Sequence, residues 1–357
     1  MNREETAKVA EALGALFVPH PADLASVEET DYLKMFDGLY TAGRDRSEKF
    51  SKGGGDTFEF LDEKSPTSDY LRLLAMGARA AGVTTVGIRG SDHHRVGVGF
   101  ESLSNPVAID LIHALDREFG PDVETYQTGR IQAQASWFRK SSGRPVHDPL
   151  VPGCAVSAVR NSFGTLGAFV EAEHLGHAFI SNAHVLKESL SNSQVWHPGY
   201  KDPKGLPIGR TYQVVAPAAD EINTFDAAVA SLGGDVSFDC TPVGAARPFG
   251  PLTEEIRTGM SVVKSGANTG MTVGTITQIA ARTAVYYGRT LITFVRQYEI
   301  AGLEGRAFSG PGDSGSVVAT QDGLHPFGLL FAGNSQLSWA SRLEAVLVGF
   351  GVELAGT

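Results

Sequence analysis

The stretch Phe308-Ser-Gly-Pro-Gly-Asp-Ser-Gly-Ser316 constrains this chain more than any other. Gly312 and Gly315 lack a Cβ, so the backbone can enter positive φ and turn successive N–H groups toward one point. Ser314 places a hydroxyl between them. Two upstream segments read as apolar strands that each carry one polar residue: Phe179-Ile-Ser-Asn-Ala-His184-Val-Leu186 and Phe225-Asp226-Ala-Ala-Val-Ala-Ser-Leu232.

Each piece has an ordinary reading alone: a loop, a satisfied strand-end histidine, an aspartate that caps a turn. Together they supply a reaction. A serine hydroxyl is a poor nucleophile at neutral pH and needs a base to take its proton during attack, a task suited to imidazole. The imidazole in turn needs a buried carboxylate to fix its tautomer and stabilise its cation. His184 is the candidate base, Asp226 the candidate orienter and Ser314 the candidate nucleophile, in that chain order and 42 and 88 residues apart.

Ser-Asn-Ala-His184, Asp226-Ala-Ala-Val and Gly-Asp-Ser314-Gly-Ser in this order resemble the chymotrypsin/trypsin-like serine proteases. Gly164-Thr-Leu-Gly-Ala-Phe-Val170, Val263-Lys-Ser-Gly-Ala-Asn-Thr-Gly-Met-Thr-Val-Gly274 and Gly328-Leu-Leu-Phe-Ala-Gly333 are similar to segments of the bacterial, disulfide-poor branch. The resemblance covers residues 153–357 and implies an all-β pair of barrels with the triad in the cleft between them. It implies an oxyanion hole formed by the backbone N–H groups of Gly312 and Ser314. Asp313 would be architectural, held by internal donors, so that the enzyme is competent without cleavage. The resemblance also places the substrate pocket at Phe308, Ser309, Phe331, Ala332 and Gly333. No acidic residue lies between positions 307 and 311 to attract Lys or Arg, so an apolar or small residue is expected before the scissile bond.

The expected activity is therefore a serine endopeptidase working through an acyl-enzyme, with limited specificity toward a dedicated protein substrate and with no cofactor. A catalytically silent binding module of the same fold and an esterase using the same triad are the alternatives. An α/β-hydrolase elbow needs Gly-x-Ser-x-Gly and a histidine last in order; here Ser314 has Ser316 in the final place and the histidine comes first. His174, His177 and His184 lack metal-site spacing, so no metal is expected.

Cys154 and Cys240 are expected as thiols, without paired zinc spacing. A net charge of −10 disfavours nonspecific nucleic-acid binding. No segment reads as membrane-spanning or as a signal peptide, which gives a cytoplasmic expectation with no membrane partner. Neither heptads nor repeats indicate an oligomeric state.

The first half reads as a separate, smaller α/β region, making the whole chain multi-domain α+β. Residues 1–66 give a helical segment, 3–17, followed by a charged, glycine-containing flexible loop at 43–64. Residues 67–138 form a small α/β domain of regulatory or recognition type. It contains a helix capped by Ser68 and running to Ala81, a hairpin of 83–89 with 95–100, a helix 106–119, and strands 123–127 and 131–137. Gly87, Gly90, Gly97 and Gly99 do not open a helix and give no phosphate site. The turn-rich, basic stretch 139–152 reads as the linker and as a place where processing could occur.

Overall fold

The computed structural model describes residues 1–19, 66–134, 144–159, 162–186, 192–200 and 202–356; side chains are described from residue 73 within the second helix. The expected flexible loop at 43–64 and the start of the 139–152 linker lie outside the described residues. Two compact units are present. One comprises residues 1–131, 218–223 and 278–295, the other 132–217, 224–277 and 296–357.

In the first unit, helix α1 (Arg3–Phe17) starts at a capping box: Asn2 accepts from the Glu5 N–H while the Glu5 carboxylate accepts from the Asn2 N–H. Its buried stripe is Thr6, Ala10, Leu13, Leu16 and Phe17. Helix α2 (Pro66–Ala81) begins two residues before the expected Ser68 cap. Proline supplies the reason, since its fixed φ suits a first turn and its missing N–H would have had no helical partner there. Strands β1 (Val83–Arg89) and β2 (Arg95–Phe100) form the expected antiparallel hairpin. Helix α3 (Pro106–Phe119), capped by Asn105, then returns the chain to β3 (Val123–Gln127), which runs parallel to β2. The fourth strand comes from far along the chain. Residues 279–283 pair antiparallel with β1, and Thr85 and Thr283 share a buried hydroxyl hydrogen bond of 2.9 Å.

The second unit opens with a two-residue strand, β4 (Gln132–Ala133), shorter than the expected 131–137; residues beyond 134 fall outside those described. The next strands are β5 (Ala155–Val156), β6 (Gly164–Thr165), β7 (Ala168–Ala172), β8 (Gly176–Ser181), β9 (Gln194–His197), β10 (Leu206–Val215) and β11 (Ala227–Leu232). Pairing runs β7-β8-β11-β10-β9, β5 pairs with β6, and a bridge from Ser157 to Trp196 joins the β5 end to β9. Alternation along β7, β8 and β11 sends Phe169, Phe179, Ala228 and Ala230 into one apolar cluster and Val170, Ile180, Ala227 and Val229 into another. Both faces are covered, which is why these strands are nearly uninterrupted apolar runs.

A closed ring of pairings contains β12 (Ser261–Gly266), β13 (Gly270–Tyr287), β14 (Thr290–Gly302), β15 (Val317–Thr320), β16 (Pro326–Gly333) and β17 (Leu337–Arg342). The order is β12-β15-β16-β17-β14-β13, and β12 also pairs with β13. Helix α4 (Ala183–Leu186) follows β8, and helix α5 (Leu343–Phe350) leads to β18 (Val352–Leu354), which pairs with β7. Cys154 and Cys240 are free thiols, and burial raises the Cys154 pKa to about 12. No described helix is long and apolar enough to cross a membrane.

His197, buried at the end of β9, yields a pH prediction. Its Nδ1 lies 2.7 Å from the Ala155 carbonyl, and its Nε2 accepts from the His147 N–H at 2.8 Å. Those contacts fit a neutral ring, because protonating Nε2 would set one N–H against another. Burial accordingly lowers the His197 pKa from 6.5. A depressed histidine pKa means that the unfolded chain takes up protons first, so this stability is complete above pH 6.5 and is lost as pH falls toward the folded pKa. Urea unfolding should show a drop between pH 7.5 and about pH 5, and a smaller drop in His197→Leu.

Candidate active site

His184 stands in α4, the single turn that ends β8. Asp226 immediately precedes β11, the neighbour of β8, so the sheet register brings the two side chains together. The Asp226 carboxylate is fully buried. Its Oδ2 contacts His184 Nδ1 in a very short hydrogen bond, while Oδ1 accepts from the Ala183 N–H at 2.8 Å and the His184 N–H at 3.4 Å. The Asn182 side chain donates to the Asp226 carbonyl at 2.6 Å, tying the two segments at a second point. The carboxylate thus fixes both the ring and the turn that carries it.

Ser314 lies in the turn between β14 and β15, with Gly312 at φ 107° and Gly315 at φ 95°. These glycines are required sterically as well as conformationally. A Cβ on Gly315 would lie 2.2 Å from Ser181 Oγ, and one on Gly312 would lie 2.3 Å from the Phe163 ring. Thr165, a residue without an assigned role in the sequence, ties the turn to the histidine-bearing sheet. Its N–H donates to the Ser314 carbonyl at 2.8 Å, its hydroxyl to the Gly312 carbonyl at 2.9 Å, and its own carbonyl accepts from Ser181 Oγ at 2.7 Å. Ser181 is three residues before His184. A Cβ on Gly164 would meet both Val185, next to His184, and the Ser314 carbonyl. The Ser314 hydroxyl donates to the Phe331 carbonyl at 3.3 Å.

Asp313 is fully buried. Its Oδ1 accepts from the backbone of Asn268 and Thr269, and its Oδ2 from Gly310 N–H and the Thr269 hydroxyl. Lys264 Nζ, also fully buried, is 3.3 Å from Oδ2 and donates to the Gly270 carbonyl. Burial pushes the Lys264 pKa down, opposed by the charge of Asp313. The expected internal donors are therefore present, with a lysine cation among them. The signal for Lys264 was a lone charge in the apolar run of β12.

Of the expected pocket residues, Phe308, Ser309, Phe331 and Ala332 are buried, and Ser309 shares a 2.6 Å hydroxyl hydrogen bond with Ser338, which the sequence did not suggest. Phe331, Ala332 and Gly333 form the end of β16. The expected oxyanion donor Gly312 is occupied: its N–H donates to the Gln134 carbonyl at 3.0 Å. Among the described residues, no cluster of three or more His, Cys, Asp or Glu side chains could hold a metal ion.

Neither a family model nor a curated protein sequence matches the chain. Solved structures similar to it include protease A of Thermobifida fusca, at 18% identity and a TM-score of 0.44, covering 57% of this chain and 97% of that one. Cellulomonas bogoriensis chymotrypsin aligns at 19% identity and a TM-score of 0.43, over 59% and 100% of the two chains. A Nocardiopsis protease gives 18% and 0.44 over 58% and 99%. These structure neighbours are bacterial chymotrypsin/trypsin-like serine proteases, and they cover only part of this chain.

Proposed function

We propose that this chain is a serine endopeptidase of chymotrypsin/trypsin type, built on two β-barrels and carrying a smaller α/β unit with a recognition or regulatory role. The observation that carries the reading is the fully buried Asp226, which fixes His184 through Nδ1 while the Thr165 bonds hold the Ser314 turn against the same sheet. A carboxylate is costly to bury, and here its bonds go to the imidazole and to the two N–H groups that position that imidazole. A scaffold has no use for this arrangement. The closed ring of β12 to β17, in which β12 pairs with both β15 and β13, supports the barrel reading.

In the proposed mechanism His184 Nε2 takes the Ser314 proton as Oγ attacks a peptide carbonyl. The oxyanion is received by the Gly312 and Ser314 N–H groups. His184 then protonates the departing amine, and water, deprotonated by the same ring, hydrolyses the acyl-enzyme. Asp226 stabilises the imidazolium in both halves. No step calls for a cofactor. The substrate is a protein or peptide, with a single dedicated partner as the favoured case, and two free thiols suit a reducing, cytoplasmic setting.

Ser314→Ala should abolish hydrolysis of peptide amides while the protein keeps the circular dichroism spectrum of the folded wild type. Paired amide and ester substrates separate the alternatives: wild-type turnover of esters alone favours the esterase, and turnover of neither favours the binding module.

A further inference from the structure

The occupied oxyanion donor is one of several contacts made by a single segment. Gln132 and Ala133 pair antiparallel with Gly333 and Ala332 of β16. The Gln134 N–H donates to the Phe331 carbonyl at 3.1 Å, and the Gln134 carbonyl accepts from the Gly312 N–H at 3.0 Å. The Gln134 side chain lies over Gly333, where an added Cβ would fall 2.3 Å from its Nε2. Gln134 is 4% exposed, and among the described residues its Oε1 has no hydrogen-bond partner. Three consecutive residues thus lie along the strand assigned to substrate, with the carbonyl of the third directed at the oxyanion donor beside Ser314. Ser314 itself is fully buried in this arrangement.

We propose that Gln132-Ala133-Gln134 is the enzyme's own first substrate, and that Ser314 cleaves the chain intramolecularly after Gln134. This rests on the peptidase reading above. Ser314 Oγ attacks the Gln134 carbonyl carbon and passes its proton to His184. The bond from that carbon to the nitrogen of residue 135 breaks, and His184 protonates the departing amine. One water then adds to the ester, giving one proton to His184; the ester bond breaks, His184 returns that proton to Ser314, and the carboxylic acid left on Gln134 releases its remaining proton to solvent. The same geometry places the glutamine side chain in the position before the scissile bond. That is polar and uncharged, unlike the apolar or small side chain expected from the pocket sequence.

Cleavage after Gln134 does not release the N-terminal fragment. Strand β1 stays paired with residues 279–283, which belong to the other fragment. The product is a nicked, associated pair whose cleft can be vacated.

The test follows purified full-length chain by intact mass and N-terminal sequencing, with a fluorophosphonate probe reporting on Ser314. Wild type should convert to fragments 1–134 and 135–357 that co-elute in native buffer and separate in denaturant. The rate should be first order and unchanged by about a hundredfold dilution. Ser314→Ala should stay whole. Gln134→Pro, which loses the N–H donated to Phe331, should also stay whole at this bond yet be labelled at Ser314. A wild-type chain that is labelled at Ser314 but remains intact, or is cut elsewhere, overturns the proposal and leaves the peptidase reading standing. Absence of label in both wild type and Gln134→Pro, with no cleavage, overturns both.

Discussion

Asp226→Asn should lower kcat/KM by roughly 10⁴-fold with little loss of stability. The asparagine oxygen can still accept from the Ala183 and His184 N–H groups, so the turn after β8 keeps its anchor. The amide nitrogen then faces His184 Nδ1, where the carboxylate oxygen stood. An N–H aimed at Nδ1 selects the tautomer with its proton on Nε2, and that ring cannot accept from Ser314. The imidazolium also loses its counter-charge. Steady-state kinetics with a glutamine peptide amide, alongside thermal unfolding, check both halves. A loss below about tenfold would show that Asp226 is only a structural anchor, since each factor of ten corresponds to about 1.4 kcal/mol of transition-state stabilisation.

The second large effect concerns stability. Lys264→Met should destabilise the protein by about 3–5 kcal/mol, because the Asp313 carboxylate would stay buried without its cation. Four hydrogen bonds to Asp313 would persist, from Asn268, Gly310 and twice from Thr269, but neutral donors do not replace a charge 3.3 Å away. Since Asp313 adjoins Ser314, the turn should loosen as well. Urea unfolding in a Ser314→Ala background, where self-cleavage cannot intervene, measures the cost. A change below about 1 kcal/mol would mean that the hydrogen bonds alone hold Asp313.

The elements that were legible in sequence are those fixed by local chemistry. The hairpin β1–β2, helix α3 and strand β3 fall where periodicity and punctuation put them, and α1 spans its expected residues. His184, Asp226 and Ser314 stood out because each needs a distinctive neighbourhood: a strand end, the start of an apolar run, a glycine-flanked turn. The bonds joining them were not legible. Thr165 is one small polar residue among many, and nothing local marks it as the tie between the Ser314 turn and the sheet. Likewise, Thr85 pairs with Thr283 across 198 residues, so the membership of 278–295 in the first unit depends on tertiary pairing that no window of sequence contains. Gln134 was hidden for the same reason. In sequence it is one polar residue in an ordinary strand pattern, and its meaning comes from Phe331 and Gly312, nearly two hundred positions away. The expectation of an enzyme competent without cleavage came from the long N-terminal extension and the lack of a recognisable activation sequence; the internal donors it assigned to Asp313 are present. It took no account of Gln134, whose carbonyl accepts from the Gly312 N–H.

The central claim is that Ser314 is a nucleophile activated by His184. Fluorophosphonate labelling of the Gln134→Pro chain, with peptide mapping of the adduct, tests it most directly. The account predicts one adduct per chain, on Ser314, and its loss when His184→Ala is added. Labelling of another residue, or labelling of Ser314 that is indifferent to His184→Ala, would contradict it.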